Sequence, residues 1–200
     1  MSRAPQDGAR ITACAPGGVG LLIIDMINDL AFEGADAMLE EIERASEVVH
    51  DLRSAADDAR VPVIYVNDNY GQWHSERSRI VEHCRRGRGR NIVSRLEPRP
   101  DDYFVIKPQL SGFYATNLPV LLPKLGVSRL VLTGIATDIC VLFTAADAHM
   151  RSYDLWVPGD ATASSRPEHL EWALQIMQKS LGAEIRPTSG FPLQRWLSGP

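Results

Sequence analysis

Residues 129–148 read RLVLTGIATDICVLFTAADA. Leu130 to Leu132 form an apolar run that stops at Thr133-Gly134, and an alanine-rich helical pattern begins at about Thr137. Such a stretch predicts a buried strand feeding directly into a helix, as in sheets covered on both faces. It also drops Cys140 into the first turn of that helix. There the unpaired N–H groups and the positive end of the helix dipole lower a thiol's pKa and favour the thiolate. A free cysteine is equally often a buried, inert hydrophobe, so the position alone does not decide its role.

The pattern repeats outward from this stretch. Leu21 to Ile24 is an apolar run ending at Asp25, and Val61 to Val66 and Tyr103 to Ile106 read the same way, the latter ending at Lys107. Leu155 to Val157 predicts a fifth strand and Ala183 to Ile185 a short sixth. Between them, Met38, Ile42, Ala45, Val49, Leu52 and Ala56 recur at the 4-3-4 spacing of an amphipathic helix. Weaker helices are expected through Ile80 and Val81 and around Leu118 to Leu125. Ser165-Arg166-Pro167-Glu168 has the form of a capping box opening a helix over Leu170 to Leu181. The Arg- and Pro-rich stretch 87–102 reads as a long surface connection. Alternation of this kind implies an α/β fold: one domain, residues 19–200, with a mainly parallel β-sheet flanked by helices on both faces, preceded by a loose segment 1–18.

Composition removes several functions. A net charge of −4 gives no general attraction to nucleic acid or anionic membrane. The run Arg85-Arg86-Gly87-Arg88-Gly89-Arg90 lacks interleaved aromatics and reads as a solvated loop. The three cysteines, Cys14, Cys84 and Cys140, are widely spaced and odd in number, which suits neither a disulfide framework nor a structural zinc site. Cys84, among arginines, is expected at an exposed helix end. With no apolar leader or membrane-length run, a cytoplasmic location is expected. Gly17-Gly18-Val19-Gly20 precedes the first strand and lacks GxGxxG spacing, so nicotinamide-dependent redox chemistry is not indicated.

Asp25, Lys107 and Cys140 each fall at or just past the carboxyl end of an expected strand, where open α/β sheets bind ligands. Gathered there, a carboxylate can take a thiol proton and return it to a leaving group, while an ammonium stabilises both anions. Here the chain resembles the isochorismatase-like hydrolase superfamily, which includes nicotinamidases, carbamoylsarcosine amidases and ureidoacrylate amidases. LLIIDMINDL (21–30), VIKPQLSGFYATNL (105–118) and TGIATDICVLFTAADA (133–148) carry the likeness. The resemblance implies an Asp25–Lys107–Cys140 triad, a cis peptide at Ile135-Ala136, and an oxyanion hole made by the Ala136 and Cys140 N–H groups. It implies a small-molecule C–N substrate, no cofactor, and a homo-oligomer.

Two departures narrow this expectation. Ile27 stands where the family motif has Gln. Where nicotinamidases carry an Asp-x-His metal pair, this chain has Asp68-Asn69-Tyr70, so no metal is expected and Asp68 reads as a turn or pocket residue. Phe32, Asn69, Trp73, Phe113 and Tyr114 are candidate pocket residues, whereas His169 reads as a satisfied histidine on a helix face. Two other readings stay open: vinyl-ether hydrolysis of an isochorismate-like compound, and a binding protein that keeps the fold without turnover.

Overall fold

A computed structural model describes residues 17–199; most of the expected loose segment, residues 1–16, and with it Cys14, lie outside the described residues. Six strands make one parallel sheet: β1 (Gly18–Ile24), β2 (Val63–Asp68), β3 (Tyr103–Lys107), β4 (Val127–Ile135), β5 (Asp154–Trp156) and β6 (Thr162–Ala163). Their order is β3-β2-β1-β4-β5, with β6 pairing the far end of β4. The chain winds from β1 out to β3 and then returns to the other side of β1, so the strand order reverses between β1 and β4. That is the switch point at which open α/β sheets bind ligands.

Period-two alternation along β1 divides two cores. Leu21 and Ile23 enter one together with α1 (Ala35–Asp58), while Leu22 and Ile24 enter the other with α4 (Leu118–Lys124), α5 (Leu142–His149) and α6 (Pro167–Leu181). All six apolar positions counted along α1 are buried. Burying a side chain the size of leucine or isoleucine is worth about 1.5–3 kcal/mol, so this stripe fixes α1 to the sheet. The helix ends where Arg60 turns left-handed (φ 57°) and Val61 N–H reaches back to Ala56 O, as in a Schellman-type stop. None of the described helices is long and apolar enough to cross a membrane.

Several local expectations are corrected. The stretch 87–102 contains α3 (Arg90–Arg95), and Ile92, Val93 and Leu96 are buried. Arginines and prolines around those three residues hid the short apolar stripe. Cys84, at the end of α2 (Arg77–Cys84), is fully buried with its thiol on Ile27 O, and burial pushes its pKa up to about 12. The capping box does not form: Arg166 is the N-cap without a side-chain bond, and Pro167 opens α6. Residues 183–185 give only a single bridge, Glu184 to Trp156, and the sixth strand is Thr162–Ala163 instead.

The basic run is absorbed by its own surroundings. Arg85 pairs with Glu97, Arg86 with Glu82, and Arg88 with Asp36. Its glycines have a packing reason, because a Cβ on Gly89 would sit 2.2 Å from Asn28 O and one on Gly87 2.6 Å from the Asp29 backbone. The tail at α7 (Leu193–Leu197) packs on its own domain, with Trp196 against Trp156 and Arg129 donating to the Trp196 and Leu197 carbonyls.

Candidate active site

The parallel register sets the site. Asp25 immediately follows β1, with its N–H donating to Val66 O, and Asp68 and Lys107 are paired as the last residues of β2 and β3. Lys107 lies two strands away from Asp25, and its long side chain reaches over the end of β2. Its Nζ sits 2.8 Å from Asp25 Oδ2, 3.4 Å from Cys140 Sγ and 3.7 Å from Asp68 Oδ2. Asp25 Oδ1 accepts the Asp68 N–H at 2.7 Å. The three residues singled out from the sequence therefore meet around one ammonium, and Asp68 joins them.

Asp25 occupies a left-handed conformation (φ 52°), tolerated by aspartate better than by most residues. Beside it, Gly134 has φ 109°, and a Cβ there would fall 2.0 Å from Ile24 O. Only glycine lets β4 pass this close to the residue preceding the acid. Asn67 locks the next turn: its side chain accepts from Ile27 N–H at 3.2 Å and donates to Ile27 O at 2.8 Å, while the Tyr70 hydroxyl donates to the same carbonyl. Neither Asn67 nor the Tyr70 hydroxyl could be read from sequence, since both act through backbone atoms 40 or more residues away.

Cys140 lies on a single π-helical turn, Thr137–Val141, which leads into α5. The Ile135–Ala136 peptide is cis, and Ala136 O accepts the N–H groups of Ile139 and Val141. One expectation reverses here. Burial first, and the Asp25 carboxylate second, push the thiol up to about 12, and the Lys107 ammonium offsets only part of this. Desolvation thus favours the neutral thiol at Cys140. Burial likewise raises Asp25 above its ordinary range against the opposing pull of Lys107. Desolvation pulls Lys107 down, but its anionic neighbours, Asp25 foremost, raise it further, so it stays an ammonium.

The candidate pocket residues divide. Phe32, Trp73 (79% exposed) and Tyr114 (60% exposed) stand at the surface. Asn69 closes a turn by accepting the Gly71 N–H. Phe113 is 3% exposed and belongs to the core, with Tyr153 6.0 Å away and the Arg151 guanidinium over its ring. His169 contacts Asp138 rather than the triad. Among the described residues no three His, Cys, Asp or Glu side chains gather as a metal centre requires. A groove of about 980 Å³ opens at the amino end of the sheet, between Arg129, Tyr153, Asp154 and Trp196, and none of the triad lines it.

An acid, an amine and a thiol thus gather at the switch point of a parallel α/β sheet, the place where such sheets bind ligands. Residues 19–188 match the isochorismatase domain. The chain belongs to the isochorismatase family of hydrolases. It is 41% identical over 165 residues to the uncharacterized family protein YaaI of Bacillus subtilis (strain 168), covering 82% of this chain and 91% of that one. Ureidoacrylate amidohydrolase RutB of Serratia proteamaculans (strain 568) is 30% identical over 190 residues, covering 80% and 76%. Among solved structures, N-carbamoylsarcosine amidase from Thermoplasma acidophilum superposes with a TM-score of 0.67 at 25% identity, covering 86% of this chain and 96% of its own.

Proposed function

We propose that this chain is a cysteine hydrolase that cleaves the C–N bond of a small amide, carbamoyl or ureido compound through a thioester acyl-enzyme. The observation carrying this reading is the buried Lys107 ammonium held 2.8 Å from the Asp25 carboxylate and 3.4 Å from the Cys140 thiol. A raised carboxylate next to a raised thiol is a base and a nucleophile that exchange one proton. The amidases among the relatives support a C–N substrate.

In the proposed reaction Asp25 takes the Sγ proton as sulfur bonds to the substrate carbonyl carbon. The carbonyl oxygen becomes an oxyanion facing the N–H groups of Ala136 and Cys140, an arrangement worth on the order of 100- to 1,000-fold per donor in acyl transfer. Asp25 then gives its proton to the departing nitrogen, the C–N bond breaks, and a thioester remains. Water attacks that thioester while Asp25 accepts its proton; the acid leaves, and the proton returns to Sγ. Lys107 stays an ammonium throughout and holds acid and thiol in register. The enzyme would work in the cytoplasm as a homo-oligomer.

Incubating the protein with a panel of small amides, N-carbamoyl amino acids and ureido acids, and measuring released ammonia, tests the reading. Intact mass of the enzyme quenched during turnover should show an acyl adduct on Cys140. Cys140→Ser turning over the same compound at the wild-type rate would overturn it.

A further inference from the structure

The turn that carries Cys140 is braced from outside the triad. Asp138 lies two residues before the thiol, and both of its carboxylate oxygens are engaged. Oδ1 accepts the Ser164 hydroxyl at 2.6 Å, and Oδ2 lies 3.1 Å from His169 Nδ1. A carboxylate only accepts, so Nδ1 carries the proton in this contact.

The two partners come from separate elements. Ser164 follows β6, which pairs with Gly134 and Ile135 of β4. The Ser164 bond therefore closes a ring from the end of β4, through the π-helical turn, and back to β4. His169 stands in the first turn of α6, where the helix dipole also favours a nearby carboxylate. Its ring is stacked on Trp172, with centroids 5.6 Å apart.

We propose that Asp138, held by Ser164 and His169, forms with them a positioning device for the Cys140 thiol. The inference rests on Cys140 being the nucleophile. Neither Asp138 nor His169 touches the reacting atoms, so removing either changes no catalytic group; it changes where the turn sits. Displacing a reacting atom by about 1 Å costs on the order of 100-fold in rate. The thiol's basicity depends on the same placement, because it comes from burial and from Asp25. A turn that swings outward lets that basicity fall towards the ordinary thiol value of about 8.5.

The test compares His169→Ala, His169→Asn and Ser164→Ala by the pH midpoint of Cys140 alkylation with iodoacetamide, read by peptide mass. Cys84 labelling and Tm serve as measures of the fold. In His169→Ala the midpoint should drop by about one unit, and kcat on an amide found to be turned over should fall about 10- to 100-fold with KM within about twofold. His169→Asn, whose amide can still donate, should recover most of both, and Ser164→Ala should show a smaller shift in the same direction. Unchanged midpoint and kcat in a folded His169→Ala protein would refute the brace. So would a shift that appears only together with labelling of Cys84 and a lowered Tm. If no amide is turned over, the C–N reading fails, yet the thiol midpoint still decides this one.

Discussion

Replacing Asp25 by Asn should move activity and thiol acidity in opposite directions. The two contacts to Lys107 Nζ, 2.8 Å from Asp25 and 3.4 Å from Cys140, cap the distance between carboxylate and sulfur at about 6 Å. At that distance and an effective dielectric of 20, a unit charge is worth about 2.8 kcal/mol, or roughly two pKa units. Removing the anion while keeping the ammonium should therefore lower the Cys140 alkylation midpoint from about 12 by roughly two units. Turnover should nevertheless fall by about 100- to 10,000-fold, because the group that carries the proton is gone. Both quantities come from one preparation, by iodoacetamide labelling across a pH series and by ammonia release. A midpoint that stays or rises in Asp25→Asn would refute the claim that this carboxylate holds the thiol protonated. Retained turnover would refute its role as the base.

Other outcomes follow from the same geometry. Asp25 must be ionised to accept the proton, and its pKa is raised above 3.8, so kcat/KM should fall on the acid side at a pH above that value; a profile flat down to pH 3.8 would contradict this. Lys107→Met leaves the Asp25 and Asp68 carboxylates without the cation between them. Breaking a buried pair costs about 3–5 kcal/mol, a Tm loss of roughly 6–20 °C for a chain of this size, and in any protein that folds the acid limb should move up. An unmoved limb would mean that Lys107 does not tune Asp25. Gly134→Ala forces a Cβ against Ile24 O and should lower Tm by roughly 6 °C or more, checked by calorimetry; wild-type stability would show that the two strands have room to separate.

How much of this was legible beforehand depended on distance along the chain. Apolar runs ending at Asp25 and Lys107, and the run leading to Cys140, announced strand ends because their side chains are buried by local pattern. Their meeting followed from the rule that parallel strands present carboxyl ends together. The place of Cys140 on the helix is local and readable, whereas its desolvation comes from everything packed around it. Burial also escaped the reading of Cys84, since neighbouring arginines hid a position whose partner, Ile27 O, lies 57 residues away. Asp138 carries no sequence signal of its own, because its partners Ser164 and His169 come from the segment after β6 and from α6, 26 and 31 residues away.

Lys107 ends β3, Asp68 ends β2 and Asp25 follows β1, so the acids and the amine are spaced by the hydrogen-bond ladder of the sheet itself. The exposed positions after those strands, such as Gly71 to His74 and Tyr114, can then vary without altering the distance between Asp25 and Lys107, whereas Tyr70 and Phe113 are held by the turn at Ile27 and by the core. On the proposed function, the residues that hold the reacting groups are separable from the exposed residues free to meet a substrate, and replacing those exposed positions with a relative's should change which compound is turned over while leaving the Asp25–Lys107 contact intact.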